Sequence, residues 1–399
     1  MPANGTTTPT VSPRSFNSRQ NQEPEEPDEW NGINSQDPVT QLASDVLRST
    51  MSCKRKQSNG SDKDEENAEE PSPWSRYGRN YLRQVALFTP LDHIVNHGIK
   101  KEAADSESEE SEDEDEPIKQ QRLCEDWEIL CKIIPAFKES VLQISNKPTR
   151  IAFLCSQMSK IADRTRGNDT SGLKASVASY LLHDTSTTLP QPLSNEKHLR
   201  GFRHPITASL LTPAEYDDNP DVHLKCEQGE KRITANRMPR MLYPDSKIFD
   251  NDSDYETNLL EGHYPIRALE VARHIYMGPQ STLMPEGVKV GRRGNASIVG
   301  ITTMTPRTIA YAVVQARFAI SQGPEWSRIE NQFDYEKFYW NIVEHCENHP
   351  EVISLYNRHL FGSPGGSLTN HDHTESDEDE EMTSMSRIRA ERAKRRRIN

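Results

Sequence analysis

The sequence predicts a mainly α protein: a single irregular multi-helix domain around a buried central helix at 305–322, with at most a minor strand or two, flanked by disordered tails. Three observations lead there. Thr305-Pro306 supplies a side-chain cap and a proline at the first helical position, and Gly323-Pro324 supplies a left-handed exit and a stop. Between them Ile309, Val313, Ala316 and Ile320 form one apolar stripe at helical spacing, while Tyr311, Val314 and Phe318 form another on roughly the opposite side. A helix apolar on two sides is buried on both. The third observation is compositional. Only 33% of residues are hydrophobic and 26 are proline, too polar a mixture for a chain folded from end to end. Acidic and basic residues balance within 118–362, so the net charge of −13 resides in the two flanks. A neutral middle between charged ends reads as one folded domain carrying two tails.

Residues 1–73 are rich in Ser, Thr, Asn, Pro, Glu and Asp and are assigned no structure. Residues 74–100 form a short apolar helical island, with Tyr81, Val85 and Phe88 on one helical face. Such an island either docks on the neighbouring domain or folds on a partner; docking is favoured, because apolar islands beside a core help to cover it. Residues 101–117 are an acidic linker in which Ser106 and Ser111 each have an acid three residues on, a pattern suited to acidophilic kinases.

The helical domain is placed at 118–362. Leu123, Trp127, Leu130, Ile134, Phe137, Val141 and Ile144 form a heptad seam that Pro135 should kink or split. The seam faces either the chain's own core or a second copy, and the core is favoured. Pro148 opens a second helix along Ile151, Leu154, Met158 and Ile161. Arg164–Gly172 reads as a polar turn, and Leu173, Val177, Tyr180 and Leu181 mark a third helix, antiparallel to the second. Residues 199–254 are irregular: a short helix at 207–211, an acidic loop at Asp217, Asp218 and Asp221, and an extended or strand-like run before Pro244. Ile266, Leu269, Ala272 and Ile275 mark a helix stopped by Gly278-Pro279. A glycine-rich connection then feeds the central helix. Asp334 caps a further helix bearing Phe338, Ile342 and Val343, and Pro350 opens a last one ended by Gly362. Residues 363–399 are a disordered tail, acidic and then basic.

The segments Gly201-Phe202-Arg203-His204-Pro205 through Thr212-Pro213, Arg293-Gly294-Asn295-Ala296, and Thr305-Pro306 running into Ile309-Ala310-Tyr311 and Gln315–Ala319 resemble a large family of uncharacterised, mainly basidiomycete fungal proteins, grouped as a domain of unknown function. The likeness spans about Trp127 to Phe361 and departs from the family at Met238-Pro239, where a Trp-Pro pair is usual. It implies a shared fold and carries no mechanism.

Few residues suggest chemistry. Gly291-Arg292-Arg293-Gly294-Asn295 upstream of a helix start suits an anion or a nucleic-acid backbone, although its spacing matches neither a P-loop nor a dinucleotide fingerprint. Arg317, inside the apolar helix, requires a carboxylate or carbonyl partner and is the third candidate anion contact. His204 is read as capping a turn. His345 and His349 share a helix face beside Cys346, but two ligands without two more nearby make a poor zinc site, so no metal is assigned. The six cysteines contain no C-x-x-C pair, no hydrolase, zinc-protease or kinase signature occurs, and no apolar run reaches membrane-spanning length. No catalytic residue, cofactor or membrane role is assigned. Arg392, Lys394, Arg395, Arg396 and Arg397 suit an import receptor that reads each cation in turn. The leading reading is a non-enzymatic nuclear interaction protein, with the cytoplasm as the other address. One alternative is a nucleic-acid-associated factor, of a kind tied to mobile elements, using Arg292, Arg293 and the C-terminal arginines. A second is an enzyme on an unrecognised helical scaffold.

Overall fold

The computed structural model describes residues 73–103, 116–181, 193–216, 220–244, 249, 254–260, 266–279, 296 and 300–366. Residues 1–72 and 367–399 of the expected tails, most of the acid block and most of the glycine-rich connection lie outside them. Helix α1 (Pro73–Asn80) runs into a π-helical turn (Tyr81–Val85), followed by α2 (Leu91–Ala103), α3 (Glu116–Ile133), α4 (Phe137–Gln143) and the long α5 (Pro148–Leu181). Short α6 (Pro205–Leu211) and α7 (Pro220–Glu227) sit among 3₁₀ turns, and α8 (Ile266–Met277), α9 (Pro306–Ile320), α10 (Tyr335–Asn348) and α11 (Pro350–Phe361) complete the helices. The one sheet among the described residues is the hairpin β1 (Ile329–Glu330) and β2 (Phe333–Asp334), with Glu330 opposite Phe333.

Helix α9 is the axis. The Thr305 hydroxyl accepts the Thr308 N–H at 3.3 Å, and the Thr308 hydroxyl accepts the Thr305 N–H at 2.7 Å, a reciprocal cap with threonine in place of the usual glutamate. Every residue from Arg307 to Ile320 is buried. α10, α8, α5 and the π-turn surround the helix, and each buried Ile, Val or Phe contributes about 1.5–3 kcal/mol of transfer free energy. Its polar groups are joined to each neighbour. Tyr311 donates to Asp169 of α5 at 2.8 Å, Thr170 of α5 donates to Gln315 at 3.1 Å, and Tyr276 of α8 donates to the Thr308 carbonyl at 2.8 Å. Arg307 reaches Asp126 of α3 and the carbonyl of Val85 in the π-turn. Buried polar atoms joined in this way fix which helix lies on which side.

The heptad seam faces the chain's own core. Trp127, Leu130, Ile134, Phe137, Val141 and Ile144 are all buried, and the seam breaks where Pro135 stands, with Ala136 in the left-handed region (φ 56°) between α3 and α4. The apolar residues of the 74–100 island, including Tyr81, Leu82, Val85, Leu91 and Ile94, belong to the same core. α1 packs on α5, and α2 packs on α3 so closely that a Cβ on Gly98 would overlap the Trp127 indole.

Three sequence expectations are corrected. The exit of α9 is not left-handed: Ser321 follows Ile320 in extended backbone (φ −75°, ψ 167°), and Gly323 does not adopt a positive φ. Arg164–Gly172 is not a turn: α5 passes straight through it, so no antiparallel pair forms there. Part of the polarity that suggested a turn lies on the exposed face of α5 (Arg164, Asn168 and Ser171), and part is a buried carboxylate with tertiary partners. Asp169 is 8% exposed and receives the Arg83 guanidinium at 2.6, 2.8 and 3.1 Å. Within the acidic loop, Pro220 and Asp221 open α7, with proline at a position where its missing N–H costs nothing; 217–219 lie outside the described residues. Downstream, the Asp334 carboxylate accepts the N–H groups of Glu336 and Lys337 and starts α10, and Gly362 (φ 78°) closes α11.

Candidate anion-binding site

A cavity of about 370 Å³ lies where the C-terminal end of α9 meets the β-hairpin and the 226–233 segment after α7. Phe202, Leu211, Ile233 and Phe333 give it apolar walls, and Glu227, Lys231, Arg232, Arg317 and Glu330 give it charge. Two local geometries set its shape. Asn331 (φ 46°) and Gln332 (φ 73°) form a two-residue turn with both residues left-handed, the type whose twist matches a hairpin. On the opposite wall Gly201 (φ 67°) lets the backbone approach the chain leaving α9; a Cβ there would lie 3.1 Å from that of Gln322.

Arg317, 4% exposed, is the centre of the site. Its Nη1 donates to the Tyr335 hydroxyl at 2.7 Å, and Tyr335 in turn donates to Glu330 at 2.6 Å. The guanidinium carbon lies 3.3 Å from the Phe333 ring centroid, and the nearest carboxylate oxygen, on Glu330, is 3.8 Å from Nη1. Glu330 is itself engaged by the Gly323 N–H at 2.5 Å. The Arg317 Nε is buried with no hydrogen-bond partner among the described residues. Burial raises the Tyr335 hydroxyl above its ordinary range, so it remains a protonated donor.

Two more cations stand behind this wall. Arg200 is fully buried and donates to the carbonyls of Ala319 (2.7 Å), Lys174 (2.8 Å) and Ser194 (2.9 Å), a cationic cap on the negative end of α9. Lys197, 5% exposed, places its ammonium 3.1 Å from the Phe318 ring centroid, and its Nζ has no hydrogen-bond partner among the described residues. Burial pushes this amine down to about 7; Arg200, Lys174 and Arg317 push the same way, against Glu330. Arg317 and Lys197 thus share the Glu330 carboxylate in a low-dielectric site, an arrangement complementary to an added anion. Cys226, also on the lining, has its thiol raised by burial, away from the thiolate form a nucleophile requires.

Of the sequence candidates, Arg317 is in this site, while Arg292, Arg293 and the basic run Arg392, Lys394, Arg395, Arg396 and Arg397 lie outside the described residues. Sequence reasoning missed Lys197, Arg200, Glu330 and Tyr335. Arg200 directly precedes the Gly201–Pro213 segment, but nothing in the spacing marks the others. His204 is buried at the start of α6, where its carbonyl rather than its ring accepts the Ala208 N–H. Among the described residues, the group able to hold a metal is elsewhere: His345 and His349 meet Glu256 at the α10–α11 junction, while Cys346 is fully buried in the core. No helix among the described residues is long and apolar enough to cross a membrane.

A family model described as a family of unknown function, DUF6698, matches residues 160–361, from the middle of α5 to the end of α11. The cavity and its cations fall inside that match, whereas α1–α4, which complete the core, precede it. No curated protein and no solved structure matches the chain. With half of its length matched, this chain belongs to the DUF6698 family of unknown function.

Proposed function

We propose that this chain is a non-enzymatic nuclear interaction protein whose helical domain receives an anionic side chain of a protein partner in the Arg317 cavity. One observation carries the reading: the Arg317 Nε, and behind it the Lys197 Nζ, have no hydrogen-bond partner among the described residues, and the Glu330 carboxylate beside them is already shared with Tyr335 and Gly323. Leaving buried charged donors unpaired is costly, so a ligand that pairs them binds favourably. The aromatic and aliphatic walls suit an anion attached to a peptide rather than a free hydrated ion. The nuclear address rests on the C-terminal basic run.

The binding arm is tested by titrating the full chain with a glutamate-rich phosphoserine peptide in a calorimeter. Arg317→Met should abolish binding, and Glu330→Gln should tighten it by removing the internal competitor. Affinity unchanged in both variants overturns the assignment. The address is tested by imaging a tagged chain lacking 392–399; an unchanged nuclear fraction removes that half of the proposal.

Nucleic acid is the second reading, favoured by Arg292, Arg293 and the C-terminal arginines. Arg317 is 4% exposed, which suits a small anionic group better than a polymer backbone running over the surface. Several phosphate contacts would give a steep log–log dependence of affinity on salt, and a flat one excludes this reading.

A further inference from the structure

At the junction of α10 and α11, a cluster distinct from the cavity unites two histidines and a glutamate that are far apart in sequence. His345 and His349 are one helical turn apart near the end of α10, and their rings stack at 4.3 Å between centroids, inclined by 30°. Glu256 arrives from the 254–260 segment, where the Asp254 carboxylate accepts the N–H of Glu256 at 2.8 Å and holds the turn. One ligand atom from each of Glu256, His345 and His349 lies within 4.8 Å of the other two. The His349 Nε2 is 2.7 Å from a Glu256 oxygen, and its Nδ1 is 2.9 Å from Glu351. The His345 Nε2 meets the Leu259 carbonyl at 3.1 Å; a carbonyl only accepts, so the neutral ring carries its lone pair on Nδ1.

We infer that Glu256, His345 and His349 form a zinc site, with Glu351 as the outer carboxylate that orients His349. Two imidazoles and one carboxylate are a borderline-soft donor set suited to Zn²⁺, and three protein ligands leave a fourth position for water. The contact from Glu351 to the far nitrogen of His349 is the carboxylate–histidine arrangement that fixes ring orientation at metal centres. The ion replaces the proton between His349 and Glu256, turning a partly exposed charge pair into a clip that pins the 254–260 segment to the junction of two helices. This inference is independent of the anion-binding proposal. Sequence spacing supplies only the two histidines; the third ligand comes from a segment brought in by the fold.

The test uses the full chain, stripped with a chelator and titrated with ZnCl2 in a calorimeter, with Co²⁺ as an optical probe of the same site. One equivalent should bind with micromolar or tighter affinity, and Co²⁺ should give visible absorption typical of tetrahedral coordination. His349→Ala should eliminate that equivalent, and Glu351→Gln should weaken it by about 10- to 100-fold. Glu256→Gln, on an exposed side chain, should weaken it while leaving the far-ultraviolet circular dichroism unchanged. His371→Ala/His373→Ala, in the tail, should leave it intact. No stoichiometric binding, or an equivalent that survives His349→Ala combined with Glu256→Gln, identifies the cluster as a charge pair only and overturns the inference.

Discussion

Replacing Asp169 with alanine should be among the most damaging single changes in this chain. Its carboxylate receives Arg83 through three contacts of 2.6–3.1 Å and Tyr311 at 2.8 Å, joining the π-turn, α5 and the central helix at one buried point. The side chains of the pair are 4% and 8% exposed. Asp169→Ala removes the anion and leaves a guanidinium buried without a counter-charge, a change that costs about 3–5 kcal/mol. The cost arises from the stranded charge, not from the attraction lost. An apolar triple variant, Arg83→Met/Asp169→Leu/Tyr311→Phe, should therefore recover at least about 2 kcal/mol of the loss. Urea denaturation followed by circular dichroism reads this directly. With a slope of about 3 kcal/mol per molar, the midpoint of the single variant should fall by about 1–2 M. A fall under about 0.3 M, or a triple variant less stable than the single one, would refute the claim that this buried pair ties the N-terminal helices to the central one.

Other substitutions probe separate links. Gly98→Ala would ordinarily favour a helix, but its methyl group would collide with the Trp127 indole, so it should destabilise by about 1–3 kcal/mol in the same denaturation assay. Thr305→Ala removes one half of the cap on the central helix and should cost about 1 kcal/mol. Lys197 gives a pH signature. Its folded-state pKa of about 7 lies below the ordinary 10.5, so between those values the unfolded chain binds the extra proton, and stability should rise with pH. Below about pH 7 the penalty of the buried charge is fully present. Lys197→Met should flatten the slope and stabilise the chain at neutral pH, by up to a few kcal/mol, since each pKa unit corresponds to about 1.4 kcal/mol.

Much of the architecture was legible because local signals and tertiary roles coincide. Thr305-Pro306, Asp334, Pro350 and Gly362 mark helix ends by side-chain caps or fixed backbone angles, and the structure begins or ends helices at each. The two apolar stripes of the central helix told in advance that it is enclosed. Local reading failed where a polar residue is buried by a distant partner. Arg164–Gly172 looked like a turn because its residues are hydrophilic; Arg83 and Tyr311 explain why Asp169 sits buried inside a helix, and Thr165 donates to the Ile161 carbonyl of its own helix. The site shows the same division. Arg317 stood out as a charge in an apolar run, whereas Lys197, Glu330 and Tyr335 acquire meaning only when the hairpin and the 197–201 turns meet the end of α9. Glu256 is silent in sequence for the same reason.

The central proposal is that an incoming anion pairs with the buried Arg317 guanidinium, whose Nε–H has no partner among the described residues. Arginine Nε–H resonances in ¹⁵N-edited nuclear magnetic resonance report it directly, with the Arg317 signal identified by its loss in Arg317→Lys. On titration with inorganic phosphate that signal should move and saturate, while the signals of Arg83 and Arg307, already paired with carboxylates, stay in place. An Arg317 signal unmoved at every phosphate concentration the protein tolerates would contradict the account.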